Sequence, residues 1–234
     1  MRNMKIQNEI ILPKSAAVTA ASVVTRENAF WLNQPLLGNS PFFKGKGQTV
    51  PGERARKIAS MLEGGERERA AKGAGLIWVT LAIMDGWEKG IDAFGKRSAE
   101  QVLEECITDL RFWCADFSQA VMAVALAAGI PARLSMVIAE TGRLHFDAEV
   151  FIEGAWLRVK PPENEFSLDA FLPVELGGNV VKGACLADFG VMDSITLKRF
   201  VNGSVLGGGM TVMQMLEISK LRERLDNEYR KWYL

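Results

Sequence analysis

Histidine is almost missing from this chain: 234 residues contain one, His145. A metal site built from several imidazoles is therefore excluded, and any imidazole chemistry must pass through that residue. Cysteine is scarce as well. Cys106, Cys114 and Cys185 form an odd count at irregular spacing, which argues against a disulfide framework and for a reducing compartment. Neither sign of charge is in excess, with 28 Lys plus Arg against 28 Asp plus Glu. Without a basic surplus no global field would hold nucleic acid or an anionic membrane, and the expectation is a partner of neither kind. No apolar run approaches the ~20 residues of a membrane helix. The longest, Ala120 to Ile130, is eleven residues and rich in alanine. Ser15 to Val24, after Arg2, Lys5 and Lys14, has the outline of a weak signal peptide, but Glu9 and Pro13 interrupt it. A cytoplasmic location is expected. With 48% hydrophobic and 24% charged residues, the composition is that of a folded globular chain.

Three stretches differ in texture. Residues 1–50 mix turn formers with scattered aromatics, as in Gly38-Asn39-Ser40-Pro41 followed by Phe42-Phe43, which suits an arm packed over a core. Residues 51–170 carry regular periodicity. A charged helix is expected over Gly52 to Leu62, then one from Glu66 to Met84 whose second half, Leu76-Ile77-Trp78-Val79, is apolar all round and should be buried. Ser98 and Gln101 form a capping box. Leu103, Cys106, Ile107 and Leu110 then continue one helical stripe, with Cys106 as a small core residue. A helix from Cys114 to Ala128 is stopped by Gly129 and Pro131. Beyond it the period changes to two: one strand at Leu134, Met136 and Ile138, a turn at Thr141-Gly142, and a hairpin joining Leu144–Ile152 to Ala155–Val159 around Glu153-Gly154. Residues 171–234 hold a glycine-rich segment, including Gly207-Gly208-Gly209, and a closing amphipathic helix at Ile218, Leu221, Leu225, Tyr229 and Trp232. That glycine run lacks the Lys-Ser/Thr of a phosphate loop and reads as a linker. The last helix packs on its own domain or forms the seam of a homodimer.

The residues able to do chemistry lie in the middle stretch. A thiol becomes a useful nucleophile where its thiolate is stabilised, and unpaired N–H groups with a positive dipole end provide this at a helix N-terminus. Cys114 falls at such a start, after the aromatic pair Phe112-Trp113 that could wall an acyl pocket. Thirty-one residues on, His145 falls on a strand. A thiol and an imidazole in this order can attack an acyl carbon, the imidazole accepting and then returning a proton. Each residue alone also has a packing role, so the pair is a candidate constellation. Asp116, in the first turn of the same helix, suits the helix dipole.

The residues Cys114-Ala115-Asp116-Phe117-Ser118, followed by Gly129-Ile130-Pro131-Ala132-Arg133 and by His145-Phe146-Asp147-Ala148-Glu149-Val150-Phe151-Ile152-Glu153-Gly154-Ala155-Trp156-Leu157, resemble the transglutaminase-like superfamily. The resemblance covers about residues 98–162, with weaker support back to about 53; residues 1–50 and 170–234 match no family pattern. It implies an α+β, papain-like core in which a cysteine helix packs on an antiparallel sheet, and acyl transfer or hydrolysis through a thioester without metal or organic cofactor. Cys114 takes the place of the nucleophile and His145 that of the base. The substrate would be a peptide, a protein, or a small amide or thioester, with Trp113, Asp116 and Lys160 in its neighbourhood. The family's acidic third member has no counterpart, because Val159-Lys160-Pro161-Pro162 places lysine where an aspartate is expected. Two readings follow: an enzyme with a substitute carboxylate, or a catalytically inactive binding or scaffold protein.

Hairpin geometry supplies the substitute. A two-residue turn at Glu153-Gly154 sets Phe151 opposite Trp156, Glu149 opposite Arg158 and Asp147 opposite Lys160, with His145, Asp147 and Glu149 on one strand face. An unpaired lysine ~7 Å from the imidazole would disfavour imidazolium by about 2.4 kcal/mol at an effective dielectric of ~20. Asp147 is therefore expected to neutralise Lys160 and to serve as third member.

Overall fold

A computed structural model describes residues 40–84, 96–109, 113–138, 144–160, 175–177, 184–189, 224, 227 and 228. The helices are α1 (Pro41–Lys44), α2 (Glu53–Ser60), α3 (Glu66–Thr80), α4 (Ala99–Glu105) and α5 (Trp113–Ala127). The strands are β1 (Ala82–Met84), β2 (Ile107–Asp109), β3 (Ala132–Ile138), β4 (Leu144–Ile152), β5 (Ala155–Lys160), β6 (Glu175–Gly177) and β7 (Ala184–Leu186). The fold is α+β, as expected. The larger sheet runs β6-β5-β4-β3-β7, and every neighbouring pair in it is antiparallel.

Helix α5 is the centre. From Ala115 to Leu126 each of its side chains is buried, as a helix apolar on every side must be. It packs on α2, α3 and α4 and on the sheet through β3 and β4. Gly73 lets α3 approach closely: a Cβ there would stand 3.0 Å from Leu62 Cδ1 and 3.2 Å from Val124 Cγ1. Trp78 of α3 meets Phe117 edge-on at 5.6 Å between ring centroids, an arrangement favoured by the ring quadrupoles. The helix stops where glycine and proline stop it. Gly129 adopts φ +77°, its N–H donates to the Leu126 carbonyl, and the Ile130 N–H donates to that of Ala125. This is a Schellman end, which satisfies carbonyls the helix leaves free.

The hairpin has the expected register: Glu149 lies opposite Arg158, Val150 opposite Leu157 and Phe151 opposite Trp156. Both turn residues, Glu153 and Gly154, have positive φ, the signature of the turn whose twist matches two right-twisted strands. The Ser98–Gln101 capping box is also present in both directions.

Two expectations need correction. The helix begun at Glu66 ends at Thr80, and Ala82–Met84 instead forms a strand parallel to Ile107–Asp109. Leu76 and Val79, expected inside, are 37% and 50% exposed, while Ile77 and Trp78 are buried. The stripe expected through Cys106, Ile107 and Leu110 also breaks. α4 ends at Glu105, Cys106 takes a left-handed conformation at φ +53°, and Ile107 enters the strand. Short apolar segments fit either period, and here pairing between segments far apart in sequence decided. Cys106 is accordingly half-buried at a helix end, with its thiol donating to the Leu103 carbonyl at 3.2 Å.

Described residues from both flanks pack on the same core. Phe42 is buried and meets Trp156 edge-on at 6.0 Å, and the Thr49 hydroxyl donates to the Ala187 carbonyl at 2.6 Å. Strands β6 and β7 edge the sheet although they lie beyond residue 170. The linker at Gly207-Gly208-Gly209, the turn at Thr141-Gly142 and the apolar stripe of the C-terminal helix lie outside the described residues.

One sheet face buries charge. Arg133 and Glu149, opposite each other on β3 and β4, are 0% and 1% exposed at their side chains, and Nε and Nη2 of Arg133 both stand 2.7 Å from Glu149 Oε2. The guanidinium also stacks on the Trp156 ring at 3.9 Å. Burial pushes the Glu149 carboxyl above the usual carboxylate range, with Arg133 opposing that push. A raised carboxyl binds its proton more tightly when folded, so its contribution to stability is complete below the unfolded value and is lost as pH rises through the folded one.

Two outcomes are expected in urea denaturation. Arg133→Met leaves an unpaired buried carboxylate and lowers stability by about 3–5 kcal/mol at pH 8, with a smaller loss at pH 5 because Glu149 then takes up a proton. Replacing both partners by apolar residues recovers most of the loss. Gly73→Val overfills the α3–α5 contact and costs about 1–3 kcal/mol, with an unchanged denaturant slope.

Candidate active site

Cys114 is the second residue of α5, half-buried and packed against the core. Its helix is long enough, at fifteen residues, to present a first turn of N–H groups without partners inside the helix. Trp113 is the first residue of that turn, and the contacts of its indole lie outside the described residues. Asp116 follows in the same turn. It is buried and ion-paired with Arg97, whose other arm donates to Glu105 Oε2 at 2.8 Å.

The tie between helix and sheet falls close to the two candidate residues. Ser118, one turn after Cys114, donates its hydroxyl to the Phe146 carbonyl at 3.1 Å in a buried contact. Phe146 directly follows His145. Residues four apart on a helix lie on one side, about 6 Å apart. The hydrogen bond therefore fixes the start of the cysteine helix against the start of β4. His145 is the second residue of β4, opposite Val137 of β3. The contacts of its imidazole lie outside the described residues.

Strand alternation places positions 145, 147 and 149 on the face that carries Arg133, Ser135 and Arg158. Asp147 is buried there, its Oδ2 2.7 Å from Arg158 Nε and its Oδ1 accepting from Nη2 at 3.1 Å. The expected cross-strand ion pairs are thus rearranged. Glu149 does face Arg158, but its partner is Arg133, and Arg158 reaches the diagonal neighbour Asp147. An arginine is long enough for this diagonal, about 7–8 Å between Cα atoms, and Glu149 gains a partner it can keep fully dry. Lys160 ends β5, opposite Glu175 of β6; its ammonium contacts lie outside the described residues.

Sequence reasoning missed three features: the Arg133–Glu149 pair, the Arg97 bridge and the Ser118 tie. The first had a signal in the strand arginine of Gly129-Ile130-Pro131-Ala132-Arg133, but its partner depends on the register across residues 139–143. The other two join segments whose approach no local pattern records. Among the described residues no cluster of three His, Cys, Asp or Glu could hold a metal ion, and no described helix is long and apolar enough to cross a membrane.

Comparison with known proteins adds to this geometry. The model of the transglutaminase-like superfamily matches residues 83–161, about a third of the chain, including Cys114, the Gly129–Arg133 run, His145 and the hairpin. No curated protein matches the chain. The crystal structure of a candidate cysteine protease from Cytophaga hutchinsonii is similar over 58% of this chain, with 19% sequence identity and a TM-score of 0.43. The likeness covers 46% of that protein, so the match spans under half of its length. Residues 83–161, which contain the cysteine helix and the strands beneath it, are thus similar to the transglutaminase-like superfamily.

Proposed function

We propose that this protein is a thiol-dependent acyltransferase or amide hydrolase in which Cys114 is the nucleophile and His145 the base. The observation that carries the reading is the Ser118–Phe146 hydrogen bond, which holds the first turn of the cysteine helix beside the residue that follows His145. The superfamily match over the same residues supports it.

The chemistry follows from those positions. The Cys114 sulfur attacks the acyl carbon of an amide, ester or thioester, and its proton passes to His145. The carbonyl oxygen gains negative charge, which N–H groups of the first turn of α5 are placed to receive. Collapse of that intermediate breaks the bond to the leaving group, which takes the proton from His145. Water or an amine then attacks the thioester and frees the thiol. The donor is a peptide, a protein or a small amide or thioester, and the reaction draws on no cofactor.

Asp147 acts as the positioning carboxylate in place of the family's aspartate. It is one strand repeat from His145, and Arg158 holds it in place. Each carboxylate oxygen has two lone pairs, so the arginine does not exhaust its capacity. Lys160 ends β5, opposite Glu175 of β6. The second reading, a protein that keeps the fold without catalysis, draws on that same lysine in the family's aspartate position.

Two measurements separate the readings. With an activated acyl ester, intact mass spectrometry is expected to show one acyl adduct on the protein, absent from Cys114→Ala; no adduct on the unaltered protein decides for the scaffold. Asp147→Asn is expected to slow acylation about tenfold to a hundredfold without loss of fold by circular dichroism, and an unchanged rate removes Asp147 from the mechanism. Iodoacetamide should label Cys114 ahead of Cys106, whose thiol is engaged, and Cys185, which is buried.

A further inference from the structure

Arg97 stands just before the Ser98 cap of α4 and is held from two sides by α5. Its Nη2 donates to Asp116 Oδ2, its Nη1 donates to Glu105 Oε2 at 2.8 Å, and its own carbonyl accepts from Gln119 Nε2 at 2.8 Å. Glu105 is 46% exposed and Asp116 only 9% at the side chain. Asp116 is therefore the carboxylate whose charge water screens least.

That carboxylate lies two residues past Cys114, which is about 3 Å along the helix axis and about 200° around it. A thiolate and a carboxylate ~8 Å apart repel each other. An uncompensated aspartate at this place would work against the nucleophile that the same helix presents.

We infer that Arg97 is a positioning residue for Cys114: its guanidinium cancels the charge of buried Asp116 and clamps the opening turns of α5 against α4. This rests on the reading of Cys114 as the nucleophile. Among the described residues, the elements packed on α5 carry further charges, of which Arg67, Lys72 and Arg133 pair with Glu153, Glu68 and Glu149, and Glu104 with Arg54. His145 and Asp147 lie on β4, with Asp147 bound to Arg158 of β5, and Asp109 ends β2. On α3, Arg69 donates to the Ala128 carbonyl at the far end of α5. Arg54, Arg56 and Lys57 of α2 are exposed.

The experiment is the pH profile of Cys114 alkylation by iodoacetamide, read by peptide mass spectrometry in the full chain. Arg97→Met is expected to slow labelling about tenfold at pH 6.5 and hardly at all at pH 9.5. Arg97→Met combined with Asp116→Asn returns the rate toward that of the unaltered protein, which a merely structural role for Arg97 would not do. Asp116→Asn alone quickens labelling at pH 6.5 and keeps the test decisive if the arginine variant does not fold. A profile unmoved by Asp116→Asn, or a double variant no faster than Arg97→Met, overturns the inference. Alkylation needs no turnover. A protein without acyl transfer but with these profiles would therefore fail the proposed function while leaving the role of Arg97 standing.

Discussion

Burying a helix on all sides leaves its polar residues with no recourse to water. Helix α5 is in that position: Asp116, Ser118 and Gln119 are all buried along with its apolar residues. A buried polar group without a partner costs about 1–3 kcal/mol, so each of these side chains restricts where the helix can sit. Asp116 and Gln119 hold the side chain and carbonyl of Arg97, and Ser118 holds the Phe146 carbonyl. Together they fix the opening turns of α5 between the entry to α4 and the start of β4. Cys114 inherits its place from that arrangement.

The sheet beneath carries a second set of constraints. Arg133, Glu149, Asp147 and Arg158 alternate in sign across one face of β3, β4 and β5. Two cations and two anions cancel, so a face buried by Trp156 and Phe42 can hold them. Arg133 is stabilised both by Glu149 and by the Trp156 ring, a combination that a lysine, with its compact and strongly hydrated charge, would not reproduce. Such a network specifies register: a one-residue slip of β4 would carry its carboxylates to the apolar face. The strand that bears His145 is therefore held in place by charge as well as by packing.

Much of the fold was legible wherever a local signal was self-sufficient. The hairpin register followed from two turn residues tolerant of positive φ, and the end of α5 from Gly129 and Pro131. The candidate pair, Cys114 and His145, could be named for a different reason: with one histidine in the chain and three cysteines, the alternatives were few. The ion pairs were less so. The sequence pattern placed Glu149 opposite Arg158 correctly, but opposition on the ladder does not choose partners. Arg158 turned to Asp147 along the diagonal, because Arg133 from a third strand had claimed Glu149.

The amino-acid order alone determined the period of the longer segments, the caps and turns, the α+β character and the residue types available for chemistry. These are properties of neighbours within a few positions along the chain. Whether Ala82–Met84 and Ile107–Asp109 would be helix or strand, which arginine would meet which carboxylate, and that α5 would be tied to β4 beside His145 were decided only by tertiary structure. Each of those outcomes depends on a contact between segments distant in the chain, where burial, not local preference, selects the partner.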